Sequence, residues 1–396
     1  MCLRAKLLSL EVVVKVSSML PEVTVAGPTW FCSGGEIFPA MLAAIDDAQE
    51  SVRFEMYIYS DKELGQRFRN SLVTARSRGV AVRVLVDALG SYGLPDSFWE
   101  PLRQAGGEIR LFNPLSLHRL GLRNHRKLLV CDGRVAFVGG FNIAPEYEGD
   151  GVTSGWCDLG VRIENQVVQQ LGASFDEMYE RADFLHKAFT RLRRSRRPRS
   201  FAGAGEQVLC SGPGRGRNPI KRNLRLDLTG ARTVDIMVAY FLPTLRIRNA
   251  LVSVARAKGR VRLILAGKSD VPLARIAGRS LYRRLLRAGV EIYEYQPQIL
   301  HAKLIIIDDK VYVGSANLDQ RSLNINYELM VRFDSPGMAA QARAVFERSL
   351  THSQRIARDE WKSRSLWERL KQRWAYLLLV RIDPYLAREQ WRALPD

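Results

Sequence analysis

The sequence has little of what covalent or metal-built scaffolds need. Its 396 residues hold five cysteines, Cys2, Cys32, Cys131, Cys157 and Cys210. They are odd in number, scattered and without a C-x-x-C pair, which argues against a disulfide framework or a cysteine zinc site and fits a reducing compartment. No metal-ligand spacing is evident, and no cofactor is called for. No apolar run approaches the length that spans a bilayer. Residues 1–27 are mildly apolar, but Arg4, Lys6, Glu11 and Lys15 interrupt them and no small-residue cleavage site stands out. The segment reads as an interfacial or packing helix, not a signal peptide. Acidic residues are in deficit, 41 against 60 Lys and Arg, for a net charge of +19. Such an excess implies an anionic partner, either nucleic acid or an anionic membrane surface. Histidine is scarce too, five in all, so the placement of each is informative.

Two of the five fall in a repeated pattern. His301, Lys303 and Asp308 spell H-x-K-x4-D, followed by Gly314-Ser315-x-Asn317 and then by Arg321, Ser322, Asn326 and Glu328. Earlier, His125, Lys127 and Asp132 repeat the spacing, followed by Gly139-Gly140-x-Asn142. One copy is weak; two copies with the same sequel are a strong signal. The alternation around His301 and Lys303 puts both side chains on one face of a strand, and Leu304 to Ile307 reads as a strand buried on both faces. A lysine beside an imidazole suits one kind of chemistry, in which the ammonium holds an anionic oxygen while the imidazole attacks or protonates next to it. Two buried strands with merely hydrogen-bonded histidines would not explain the matched positions.

The rest of the chain is also doubled. Helical spacing predicts helices over Glu36 to Gln49, Glu63 to Ser77 and Phe98 to Gln104. Strands are predicted over Val52 to Tyr59, Val80 to Val86 and Glu108 to Phe112. Leu251 to Leu265 lines up with Leu72 to Val86, and Leu286 to Tyr293 with Arg103 to Arg110. Alternating strands and helices imply an α/β fold with mixed sheets covered on both faces. Two facing halves would bring both motifs to one pseudo-twofold cleft. The divisions are an N-terminal segment 1–27, a first half 28–186, a basic Gly/Pro-rich linker 187–219, a second half 220–350 and a C-terminal tail 351–396. In the loop before His125, Leu115, Leu117, Leu120 and Leu122 form either a lipid-touching rim or a local apolar cluster. In the tail, Trp367, Leu370, Trp374, Leu377 and Leu378 make one helical stripe ringed by Arg369, Lys371, Arg373 and Arg381. The reading favours that stripe packing on the two halves over its lying in a headgroup layer.

The paired motifs resemble the two HKD motifs of the phospholipase D superfamily, and the wider sequence is most similar to its bacterial cardiolipin synthases. Phe54 to Tyr59, Arg78 to Asp87, Tyr240 to Pro243, Asn317 to Asp319 and Arg321-Ser322 carry the resemblance. It covers nearly the whole chain from about Trp30 to Ser349. It implies two homologous phospholipase D-like halves and phosphodiester exchange. One histidine attacks phosphorus to form a phosphohistidine; the other protonates the leaving alkoxide, then deprotonates the incoming alcohol. Lys127 and Lys303 would neutralise the non-bridging oxygens. Asn142, Ser315 and Asn317 would add hydrogen bonds, and the Gly139-Gly140 and Gly314-Ser315 turns would let backbone approach the phosphate. Which histidine attacks does not follow from sequence; family precedent leans to His125. Asp158 and Glu328 match the acidic residues that orient the imidazoles in the superfamily, while Asp132 and Asp308, the D of each motif, read as structural. Glu55 is placed near the cleft by resemblance. Two departures from the pattern stand out. Gly140 replaces a common serine, and the hairpin after Asp308 is one residue shorter than that after Asp132, which could shift Ser315 and Asn317. The reaction implied is transfer of a phosphatidyl group between phosphatidylglycerol molecules, giving cardiolipin and glycerol on the cytoplasmic face of an anionic membrane. Hydrolysis to phosphatidic acid is the runner-up. A nucleic-acid phosphodiesterase is the third reading, and the duplicated plan argues against it. No metal is required by this chemistry. Oligomeric state is open.

Overall fold

A computed structural model describes residues 27–114, 121–182, 200–202, 205–213, 218–362 and 364–382. The expectations for residues 1–26, the leucines between 115 and 120, and the basic run 187–199 lie outside the described residues.

The first sheet contains β1 (Thr29–Phe31), β2 (Ser51–Met56), β3 (Ala81–Asp87), β4 (Glu108–Phe112), β5 (Leu128–Cys131), β6 (Val135–Gly139) and β7 (Gly160–Ile163). The second contains β8 (Ser200–Ala202), β9 (Glu206–Ser211), β10 (Thr233–Val238), β11 (Arg260–Lys268), β12 (Glu291–Ile299), β13 (Lys303–Ile307), β14 (Lys310–Gly314), β15 (Glu328–Asp334) and β16 (Ser353–Arg355). Their orders share one core: β4-β3-β2-β5-β6-β7-β1 in the first matches β12-β11-β10-β13-β14-β15-β9 in the second. In each, the first three strands of that series are parallel and the rest antiparallel. The parallel strands are joined through helices such as Glu63–Ser77 and Leu245–Arg256. Being covered on both faces, they read as Val/Leu/Ile runs.

By this correspondence β9 stands to the second half as β1 stands to the first. Part of the stretch read as linker is therefore a strand: Val208 and Leu209 are buried between β15 and β8. The Gly/Pro-rich flanks hid a short alternating segment whose partners, β15 and β8, are supplied by the fold.

One apolar cluster runs through both halves. Leu128, Val138 and Phe175 share it with Met237, Leu304, Val313 and Phe346. The helices Val167–Glu180 and Pro336–Thr351 contribute to it, and β6 packs against β14 and β15. Interiors packed this way deform little, so the geometry between the halves is fixed.

The motif aspartates close the hairpins. Asp132 (φ 53°) and Asp308 (φ 48°) both occupy the left-handed region, which Asp tolerates better than most residues. The Asp132 carboxylate accepts from the backbone N–H of Gln49 (2.9 Å), Glu50 (2.8 Å) and Ser51 (2.8 Å). Asp308 accepts from Arg232 N (3.1 Å) and Thr233 N (2.8 Å). Each ties the turn to the start of the neighbouring strand, away from the histidine end. Asp132→Ala should lower stability by about 1–2 kcal/mol while activity per folded molecule stays near wild type; a urea melt and a specific-activity measurement check this.

The shorter hairpin displaces neither Ser315 nor Asn317. Cys131 pairs with Val135 across the first turn and Ile307 with Lys310 across the second, so the missing residue is lost from the turn itself. Leu128 pairs with Val138, and Leu304 with Val313, in equivalent register. Because register is set along the whole ladder, both residues keep the positions their repeat predicts.

The tail forms the helix Leu366–Leu377, capped by Ser365, and a π-helical turn Leu378–Ile382. It docks on the helix Pro272–Arg279 through Ala375, Tyr376, Leu379 and Val380, with Ala277, Ile276 and Leu242 beneath. Gln372 is buried on the same side. The expectation that the Trp367–Leu378 stripe faces protein is overturned: those side chains point outward. A small-residue face, not the large apolar one, makes the contact.

Candidate active site

Each histidine sits one residue past an isolated bridge to the opposite half. Asn124 bridges to Tyr327 and Leu300 to Cys157, both in parallel sense. His125 N–H donates to Tyr327 O (3.0 Å), and His301 N–H donates to Cys157 O (2.7 Å). The histidines therefore precede β5 and β13 instead of lying within them. Their amides are committed to the other half, so the sheet ladder begins only at Leu128 and Lys303.

The residues immediately after the bridged positions on the opposite half are Asp158 and Glu328. This exchanges the carboxylates. His125 Nδ1 meets Glu328 Oε2 at 3.1 Å, and His301 Nδ1 meets Asp158 Oδ2 at 2.6 Å. Both carboxylates are fully buried. A carboxylate on Nδ1 orients an imidazole and leaves Nε2 for chemistry; at His301, Lys303 Nζ also lies 2.7 Å from Nδ1.

The glycines serve this arrangement. A Cβ on Gly139 would lie 2.4 Å from Leu159 O, and one on Gly314 would lie 2.2 Å from Leu329 O. The backbone they admit is that of the carboxylate-bearing strand, not a phosphate as the sequence suggested. Gly140 goes further: a Cβ there would lie 2.2 Å from Asp158 Oδ1. At the equivalent place Ser315 donates its hydroxyl to Glu328 Oε2 and accepts from Leu329 N (3.0 Å). The longer Glu is steadied by a hydroxyl; the shorter Asp lies directly on the Gly140 backbone. Ser315 is thus spent on Glu328 instead of facing a substrate.

Both imidazoles line one cavity of about 400 Å³, together with Asn142, Asn317, Arg123 and Arg321. Asn142 Oδ1 accepts from Ile58 N (3.0 Å) and Asn317 Oδ1 from Tyr240 N (3.4 Å), a second pair of matched contacts. Lys127 Nζ donates to His125 O (2.7 Å), and Lys303 Nζ donates to His301 O and lies 3.0 Å from His301 Nε2. Glu55 is not in the wall. It lies behind it, accepting from Asn124 Nδ2 (2.7 Å) and paired with Arg126 Nη2 (3.0 Å). A buried carboxylate needs such partners, and β2 turns Glu55 into the sheet interior, so it supports the residues flanking His125.

The electrostatics are unequal. Burial lowers Lys127 well below the ordinary lysine value, helped by the charge of Lys303, and burial likewise lowers Lys303. Two crowded buried ammoniums favour an anion between them. Burial lowers His125 and places His301 well below the usual histidine range. Asp158 is pushed up to about 7 by burial, against the pull of Lys303. For Glu328, burial acts upward, but the charge and hydrogen bond of His125, Lys127 and Ser315 outweigh it and hold the carboxyl below its usual value. Among the described residues no cluster of three or more His, Cys, Asp or Glu could hold a metal ion.

Aromatic rings complete the walls. Tyr57 lies edge-on to His125 at 4.8 Å between centroids, and Tyr147 and Trp156 flank His301 at 5.3 and 5.6 Å. No repeat marks Tyr147 and Trp156, so the doubled pattern that exposed the histidines gave no hint of these contacts.

The family described as "Cardiolipin synthase, PLD-like domain" matches residues 41–179 and 227–350. The chain is 32% identical over 358 residues to the major cardiolipin synthase ClsA of Bacillus subtilis, covering 87% of this chain and 73% of that relative. It is 32% identical over 356 residues to cardiolipin synthase 1 of Bacillus cereus, covering 85% and 69%. A crystal structure of phosphatidylserine synthase of Haemophilus influenzae is similar at a TM-score of 0.70 and 13% identity, over 91% of this chain and 94% of that one. Polyphosphate kinase of Porphyromonas gingivalis follows at 0.56 and 14%, over 82% and 50%. At these identities the structural likeness speaks for the fold.

Proposed function

We infer the reaction from one premise: the chain belongs to the cardiolipin synthase family with phospholipase D-like domains. It is a phosphatidyltransferase of that type. The observation that carries the reading is that two imidazoles from different halves line one cavity, each held at Nδ1 by a carboxylate of the opposite half.

The donor we propose is phosphatidylglycerol. His125 is the nucleophile, because Glu328 stays ionised, takes the Nδ1 proton as its hydrogen bond and leaves the Nε2 lone pair free. As Nε2 bonds to phosphorus, the bond from phosphorus to the glycerol oxygen breaks. That oxygen takes a proton from the Asp158–His301 pair. A second phosphatidylglycerol then gives its hydroxyl proton back to the pair, its oxygen attacks phosphorus, and the P–N bond breaks to release cardiolipin. Lys127 and Lys303 balance the non-bridging oxygens throughout. No helix among the described residues is long and apolar enough to cross a membrane. The +19 charge supports peripheral attachment to the anionic, cytoplasmic face.

The assay is direct. Labelled phosphatidylglycerol vesicles should yield cardiolipin and free glycerol; phosphatidic acid without cardiolipin would make the protein a hydrolase instead. The proton stored on the Asp158–His301 pair sets the pH response. Below about 7 Asp158 holds its proton and the pair can protonate the leaving oxygen; above about 7 that proton is lost. Phosphoenzyme formation, measured by rapid quench, should therefore decline as pH rises through about 7, and Asp158→Asn should remove that inflection.

A further inference from the structure

The outward stripe of the tail has a chemistry of its own. Around the helix Leu366–Leu377, at roughly 100° per residue, Leu366, Trp367, Leu370, Trp374 and Leu377 share one side. Trp367 is 73% and Trp374 65% exposed, although both belong to residue types that favour burial. The packed residues Gln372, Ala375 and Tyr376 lie opposite. Arg369 and Arg373 border the stripe on one side and Lys371 on the other. Residues 366–382 contain four basic residues and a single acid, Glu368. No described residue covers the stripe.

Its position matters as much as its composition. Leu379, one turn on, lines the catalytic cavity. So does Val271, at the start of the helix on which the tail docks. The packed face of the tail thus forms part of the cavity wall, and the stripe lies on the outer side of the same segment.

We propose that residues 366–382 form an interfacial helix that docks the protein on an anionic phospholipid bilayer. Trp367, Trp374 and the leucines enter the headgroup–acyl boundary, and Arg369, Lys371, Arg373 and Arg381 contact the lipid phosphates. The apolar rings and the cationic borders complement the two layers of such a surface, and a soluble partner would need both in the same strip. Docked this way, the tail would hold the cavity wall at Leu379 within one helix diameter, roughly 10–12 Å, of the bilayer surface. That alignment rests on the phospholipid reading of the cavity; the docking itself does not.

The test separates the two. Trp367→Glu with Trp374→Glu is made in the full chain, since neither residue touches the cavity. Binding is read by co-sedimentation with phosphatidylcholine vesicles carrying phosphatidylserine, and by tryptophan quenching from brominated acyl chains. Turnover is read on dispersed short-chain phosphatidylglycerol. The double variant should lose about tenfold or more of its vesicle partitioning, with wild-type turnover of the dispersed substrate. Unchanged partitioning and quenching would overturn the proposal, as would a wild-type dimer, detected by sedimentation, that the variant dissolves into monomers. Failure of wild type to turn over short-chain phosphatidylglycerol would instead count against the reading of the cavity.

Discussion

Replacing His125 by alanine is expected to abolish both the covalent intermediate and cardiolipin formation, a loss of about 10⁴-fold or more. His301→Ala should also stop turnover, by about 10²- to 10⁴-fold for a lost acid–base group, but at a different point. A phosphatidyl donor with an aryl leaving group needs no proton at departure. With it, His301→Ala should form the phosphoenzyme in a single burst and then stall, because nothing activates the second alcohol. His125→Ala should show no burst with any donor. A burst in His125→Ala and none in His301→Ala would reverse the roles; wild-type turnover in either would remove that residue from the chemistry. Circular dichroism and a thermal melt establish that each variant is folded, since both side chains are largely buried among the packed halves.

The second large effect follows from the exchange of carboxylates. Glu328→Gln keeps the side-chain shape but no longer holds His125 as an anion can, and should lower turnover by about 10²- to 10⁴-fold. The informative measurement is a double-mutant cycle on residual steady-state turnover. Glu328→Gln and His125→Ala act on one unit, so the double variant should be no worse than His125→Ala alone. With the aryl donor, Asp158→Asn should leave the burst nearly intact and slow only the transfer to alcohol. If Glu328→Gln instead spared the burst and slowed the second step, the pairing of His125 with Glu328 seen at 3.1 Å would have no catalytic meaning.

Much of this molecule can be read from its chain because it is written twice. The H-x-K pairs, the matched Asn142 and Asn317, and the strand–helix alternation each appear in duplicate, and duplication lifts weak three-residue patterns above chance. The features that stayed hidden are those made between the copies. The family resemblance proposes Asp158 and Glu328, but that each serves the other half's imidazole follows only from the bridges Asn124–Tyr327 and Leu300–Cys157. Resemblance places Glu55 near the cleft but does not reveal that Asn124 and Arg126 satisfy its charge behind the wall. β9 was lost among Gly and Pro because a short strand flanked by such residues has no strong local signal. The tail misled for a related reason: its apolar stripe suggested a buried face, yet Ala375 and its neighbours provide a closer fit to the Pro272–Arg279 helix.

The swapped carboxylates also bear on how the molecule comes into being. A nascent chain that has exposed His125, Lys127 and Asp158 but not yet Glu328 holds a nucleophile with no partner to orient it, and a carboxylate with nothing to orient. Reactivity toward lipid then arises all at once, when the last third of the polypeptide docks. Fragments that divide the chain between residues 182 and 205 should be individually inert and regain activity on mixing, because the shared core reunites each imidazole with its carboxylate.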